Sequence, residues 1–165
     1  MNIGMRRSLL GLSLVAAMAA FSSVGYAEDA SGLKVVDVWA RPAAVVGGNG
    51  AGYFTVENEA AKGDTLLKVE ADVSKKVELH SMSMEGMVMK MRKLDNAPVP
   101  AHGKLVFERG GNHIMFIGLN AALKQGDSFP VTFVFEHAGS IKATMTVQDA
   151  APGHGQTDDA HHMDH

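Results

Sequence analysis

Residues 80 to 91 read HSMSMEGMVMKM, a histidine and five methionines in one short stretch, and GGNHIMFIGL further along holds His113 and Met115 two positions apart. Ten residues separate His80 from Met91 and twenty-one separate Met91 from His113, so the series is H-x10-M-x21-H-x-M. Two imidazoles and two thioethers form a neutral, mostly soft donor set. Thioether sulfur selects Cu(I), which imidazole also suits. With neither thiolate nor carboxylate, the set disfavours Zn(II), Mg(II) and Ca(II). His80, Met91, His113 and Met115 are therefore the candidate Cu(I) ligands.

For these four side chains to meet, strands must pair. With Glu85-Gly86 as a two-residue turn, the first stretch becomes a hairpin in which Met84 faces Met87, Met82 faces Met89 and His80 faces Met91. Opposed residues share a face, which would deliver one imidazole and one thioether together. Glu-Gly is a weaker turn dipeptide than Asn-Gly, and a longer loop would set His80 against Met89 instead. His113 and Met115, two apart in an expected strand, point to one face. Gly110, Gly111 and Asn112 suit a tight turn presenting His113 at that strand's start. A phosphate-cradling loop would need a following helix, and the sequence offers none. Met82, Met84, Met87 and Met89 have two readings: core filling, since methionine packs into irregular gaps, or a soft rim that hands copper along.

The rest of the body is short runs rich in Val, Phe, Thr and Ile between Gly, Pro and Asn clusters, a pattern that predicts an all-β sandwich or barrel. Strands are expected at 34–41, 52–58, 65–71, 76–83, 88–94, 104–107, 113–119, 128–136 and 141–148. Val45 to Gly50 reads as a flexible loop and Asn96 to Pro100 as a rigid one. Trp39 is expected as a core aromatic of the first strand rather than a neighbour of the copper site. His102 and His137, beside Pro100, Gly103 and Gly139, read as surface turn residues.

At the start, Arg6 and Arg7 precede the apolar run Leu9 to Phe21 and the small-residue stretch Ser22 to Ala27. This has the form of a cleavable signal peptide, cut after Ala27, directing export to the periplasm by the general secretory route rather than the twin-arginine one. No later stretch approaches the roughly 20 apolar residues of a membrane-spanning helix, so the mature form is expected to be soluble. Cleavage would remove two basic residues and make the chain more acidic than its overall charge of −3. Nothing suggests nucleic acid, which usually asks for a basic face. The chain has no cysteine, which excludes disulfides and leaves His, Met, Asp and Glu to build any metal site. From about Ala151 the chain turns to APGHGQTDDAHHMDH, with little to bury. The expected order is thus a signal peptide (1–27), a copper-binding domain (28–150) and a disordered tail (151–165). Within the tail His154, His161, His162, Met163 and His165 form a candidate Cu(II) tract.

The four-ligand spacing, with VVDVWARP, GGNGAGYFTVEN, VMKMR and GGNHIMFIGL around it, resembles the periplasmic copper chaperones of the PCuAC family over most of the region after Ala27. The resemblance implies a cupredoxin-like Greek-key β-sandwich with an exposed Cu(I) site at one end. It further implies copper delivery toward the CuA centre of cytochrome c oxidase, with the CuA subunit or a Sco-type thiol protein as partner. Some members carry a His/Met-rich C-terminal extension associated with Cu(II), which HGQTDDAHHMDH resembles.

Rival functions separate on chemistry. A blue-copper electron carrier needs a Cys thiolate, which is lacking. Copper buffering or resistance would use the same ligands without a delivery target. An adhesive sandwich would carry its His and Met incidentally. No G-x-S-x-G or H-E-x-x-H motif points to an enzyme.

Overall fold

The computed structural model describes residues 32–152. The expected signal peptide and the tail histidines from His154 onward lie outside them. Among the described residues all regular structure is strand: β1 (Leu33–Ala40), β2 (Asn49–Asn58), β3 (Asp64–Glu70), β4 (Ser74–Glu85), β5 (Val88–Leu94), β6 (Ala97–Val99), β7 (Gly103–Phe107), β8 (His113–Leu119), β9 (Ser128–Phe135) and β10 (Gly139–Val147). Every expected strand is present, and those at 88–94 and 113–119 match at both ends.

Two loop expectations need correction. Asn49 and Gly50, expected in a flexible loop, open β2 instead. The stretch expected as a rigid loop contains β6, in which Ala97 and Val99 are buried while Pro98 points outward. β6 pairs only with β3, at the end of the sheet. An edge strand is where a proline can sit, because its missing N–H faces no partner.

The strands follow the hydrogen-bonded path β5-β4-β8-β2-β1-β10-β9-β3-β6, and β7 joins on β2. β8 lies between β2 and β4, and β1 between β2 and β10, so the chain crosses over as a Greek key does. β1 and β10 form a parallel pair, Trp39 beside Thr146, while the other strand pairs are antiparallel. β2 serves two neighbours on one edge, its first part pairing with β8 and its second with β7. A bulge between Val36 and Trp39, with Asp37 at φ 53°, bends β1 opposite this change.

Between the two halves of this folded-over sheet lies one core. β9 shows how the sequence specifies it: Phe129, Val131, Phe133 and Phe135 are buried while the residues between them are not. That is the period of two of a strand with one face inward. Phe54 of β2 packs against Phe107 (4.4 Å between ring centres) and Phe133 (4.7 Å), which joins β2, β7 and β9. Trp39 is buried, as expected, but it packs on Tyr53 at 4.6 Å outside the core cluster, on the sheet face that carries Met115. His102 and His137 are exposed turn residues, the latter donating its backbone N–H to Asp64.

Asn58 is one of three buried polar side chains among the described residues, with Ser74 and His113. Asn58, at the end of β2, is buried, donates to the carbonyls of Lys62 (2.9 Å) and Pro100 (3.0 Å), and accepts from the N–H of Ala60 (2.9 Å). It ties two turns to the strand end. Asn58→Ala leaves these backbone groups without their partner and should cost about 1 to 3 kcal/mol. Urea unfolding would measure this as a lower midpoint at unchanged slope.

Candidate metal centre

The site is set by the registers of β4 with its two neighbours. Against β8, His80 stands opposite His113 and Glu78 opposite Met115. Against β5, Met82 stands opposite Met91 and His80 opposite Lys93. Both expected pairings of His80 therefore give way to one with Lys93, displaced by two residues from the Met91 pairing and by four from the Met89 pairing.

The turn chemistry explains the displacement. Glu85 pairs with Val88, which leaves Gly86 and Met87 as the loop. Gly86 takes φ +66° while Met87 is not left-handed. Gly in the first loop position is what a II′ turn requires, so Gly86 opens the loop rather than closing it. A displacement by two preserves which face each side chain takes. His80, Met82, Met91, His113 and Met115 thus share one face of the β5-β4-β8 ladder, with Met91 diagonal to His80 rather than opposite it.

The two imidazoles meet directly, their ring centres 5.7 Å apart and the planes inclined by 51°. His113 is buried and begins β8 just after the Gly110-Gly111 turn, where Gly110 has φ +83°. Its Nδ1 donates to the carbonyl of Gly111 at 3.1 Å, which leaves Nε2 with its lone pair. His80 is arranged the other way round. Its Nε2 lies 2.8 Å from the Glu78 carboxylate, and its buried Nδ1 has no hydrogen-bond partner.

Glu78 fixes that tautomer. Hydrogen bonds from Lys76 and then from His80 hold its pKa down at about 2, against a partial opposing effect of desolvation, with the charges of Lys76 and Lys93 assisting. The ionised carboxylate only accepts, so in the neutral imidazole the proton sits on His80 Nε2 and the lone pair on Nδ1. Each ring therefore carries one nitrogen anchored to an oxygen and one available to a metal. Anchoring of this kind is what orients metal-binding histidines and raises their basicity.

Met115 is partly buried opposite Glu78, and Met91 is exposed. Among the described residues no cluster of three His, Asp or Glu side chains could hold a metal. The candidate donors on this face are two nitrogens and two sulfurs, a set that fits a soft monovalent cation. Core filling fails for Met84, Met87 and Met89, which are all exposed, and Met82 is only partly buried.

Glu78 escaped the sequence reading, since a carboxylate alternating with lysines in a strand reads as solvent-facing. Its signal is the spacing of two from His80, which puts both on one face. Glu78→Gln should weaken Cu(I) binding at neutral pH by about 10- to 100-fold, the usual effect of losing an orienting partner. The same variant tests linkage. A pKa of about 2, below the ordinary 4.5, means that Glu78 stabilises the fold fully above pH 4.5 and progressively less as pH falls toward 2. Unfolding followed over that interval should be less pH-dependent in Glu78→Gln than in the wild type.

The topology is shared with solved PCuAC domains. The model of the family described as putative LpqE-like lipoproteins matches residues 33–147, and the chain belongs to that family, which is the PCuAC family. An uncharacterized protein of Rickettsia prowazekii is 35% identical over 106 residues, 61% of this chain and 58% of that protein's length. A putative lipoprotein of Leifsonia xyli is 25% identical over 142 residues, covering 86% and 84% of the two chains. The copper-bound PCuAC domain from PmoF2 has the same fold, with a TM-score of 0.61, 21% identity and coverage of 72% of this chain and 94% of that one. Cu(I)-bound DR1885 from Deinococcus radiodurans aligns with a TM-score of 0.54 at 27% identity, over 72% and 81% of the chains.

Proposed function

We propose that the protein is a periplasmic copper chaperone that binds Cu(I) through His80, Met91, His113 and Met115. The observation that carries this is the pair of facing imidazoles, each anchored through one nitrogen so that the other is presented to a metal. Membership of the PCuAC family and the copper-bound state of two similar structures support copper as the metal. Neutral donors suit a cargo that must leave again, and the exposure of Met91 lets an acceptor's ligand replace it first.

Delivery toward the CuA centre of cytochrome c oxidase, directly or with a Sco-type thiol protein, is the destination we propose. Residues 1–27 would export the chain before being removed, and no helix among the described residues is long and apolar enough to cross a membrane. Relatives named as lipoproteins accord with export, although these 165 residues contain no cysteine to carry a lipid thioether. The tail, through His154, His161, His162, Met163 and His165, would collect Cu(II). Its origin favours that role: Arg109 donates to the carbonyl of Asp149 at 3.3 Å, so the chain leaves the domain beside the turn that presents His113.

The test is an anaerobic Cu(I) titration against a competing chelator. One tight equivalent that persists without residues 151–165 supports the folded site. Tight binding that vanishes with the tail would make the protein a histidine-rich scavenger. Gene deletion then separates delivery, whose loss lowers oxidase activity at limiting copper, from buffering, whose loss exposes cells to excess.

A further inference from the structure

β4 and β8 stop pairing at His80 and His113, but β4 and β5 continue together to Glu85 and Val88. The outer part of the hairpin is a two-stranded ribbon standing clear of β8. Its register places Met82 opposite Met91 and Met84 opposite Met89 on one face, with Ser81, Ser83, Lys90 and Arg92 on the other. On the polar face the Glu85 carboxylate binds both Lys90 and Arg92. The thioether face is open: Met84, Met89 and Met91 are 64%, 57% and 46% exposed, and Met87 at the tip is 97% exposed.

Packing does not account for this face. Alternation of the kind that buries β9 here leaves its apolar residues in water. All four facing positions are methionine, although β-branched and aromatic residues suit strands better. Val, Ile or Leu would serve an apolar contact equally well. What the four side chains share is sulfur.

We propose that Met82, Met84 and Met89 form a second, thioether-only site for a soft monovalent cation, Cu(I), joined to the His80–His113 site through Met91. This rests on the copper reading above and extends it. Directly opposed residues have Cβ atoms about 4.5 to 5.5 Å apart. Methionine's unbranched, flexible side chain lets three sulfurs converge on one ion without moving the backbone. Met82 lies opposite Met91 and two residues from His80, so an ion on the ribbon reaches the inner site by exchanging thioethers one at a time. No covalent bond within the protein breaks and the metal stays Cu(I), so the passage needs no electron donor. Lacking an imidazole, the outer site is the weaker of the two, and its exposure makes it the first contact for arriving copper and the last for departing copper.

The full chain carrying 13C-methyl methionine, titrated with Ag(I) as a redox-inert soft cation and with Cu(I) under anaerobic conditions, tests this. The first equivalent should shift the methyl resonances of Met91 and Met115, and the second those of Met82, Met84 and Met89. The triple variant Met82→Leu, Met84→Leu, Met89→Leu keeps the face apolar and should lose the second event while retaining the first. In His113→Ala the ribbon methyls should still respond. The outer site is refuted if the three methyls stay unmoved through two equivalents. It is equally refuted if the triple variant still takes a second equivalent with undiminished affinity. A ribbon that aids copper transfer equally well in the leucine form would be an apolar docking surface instead, which also overturns the proposal. Failure of the inner reading looks different, since Met91 and Met115 would then not respond to the first equivalent.

Discussion

His113→Ala should weaken Cu(I) binding by at least about 100-fold, the upper end of what losing a mere orienting partner costs. The substitution removes one of the two nitrogen donors on the site face, and no other imidazole among the described residues is positioned to replace it. His80 would be left presenting its buried Nδ1 to a space without the opposing ring. Anaerobic competition titrations of the wild type and the variant, each with and without residues 151–165, isolate the folded site from the tail. His113 is only 6% exposed, so the same samples need a thermal unfolding curve to show that the apo fold survives. A variant that folds yet binds Cu(I) as tightly as the wild type would remove His113 from the ligand set, and the paired-imidazole reading with it.

How far the sequence foretold this site follows from what alternation encodes. A strand's period of two says which side chains share a face, and by that rule His80 belongs with Met91 and His113 with Met115; the pairing of β4 with β8 then puts both pairs on one face. Alternation does not say which residue stands opposite which, because displacement by two leaves every face unchanged. That information sat in a single dipeptide, where Gly86 opens the loop instead of closing it. The contact between the imidazoles was out of reach for another reason: the partner of β4 is β8, distant in sequence, and hydrophobic pattern alone does not choose sheet neighbours. Glu78 was hidden because its function depends on His80 being turned toward it. β6 was hidden because Pro98 between two short apolar residues looks like a loop unless it is known to lie on an edge.

Phe116→Ala should separate the two faces of β8. Ile114 and Phe116 are fully buried on the core side, while His113 and Met115 alternate with them toward the site. The Phe116 ring meets Phe129 edge-on at 5.7 Å and covers the backbone of Gly52, where an added Cβ would sit 3.0 Å from the ring. Alanine leaves a void that the flanking strands cannot close, since Phe116 stands in register between Gly50 of β2 and Val77 of β4, on a strand paired along both edges. The expected cost is about 3 to 5 kcal/mol of apo stability. In a thermal scan this is a fall in Tm of about 10 to 20 °C. The ligands lie on the opposite face, so Cu(I) affinity of the folded variant should change little. Binding to the native state alone then returns stability by mass action, about 4 kcal/mol when free Cu(I) is 1,000 times Kd. Copper-loaded Phe116→Ala should therefore unfold close to the apo wild type. If copper restores nothing to a variant that is folded when copper is added, then the core face and the ligand face of β8 are not independent, and the geometry of the site is held by the packing beneath it as much as by the strand register.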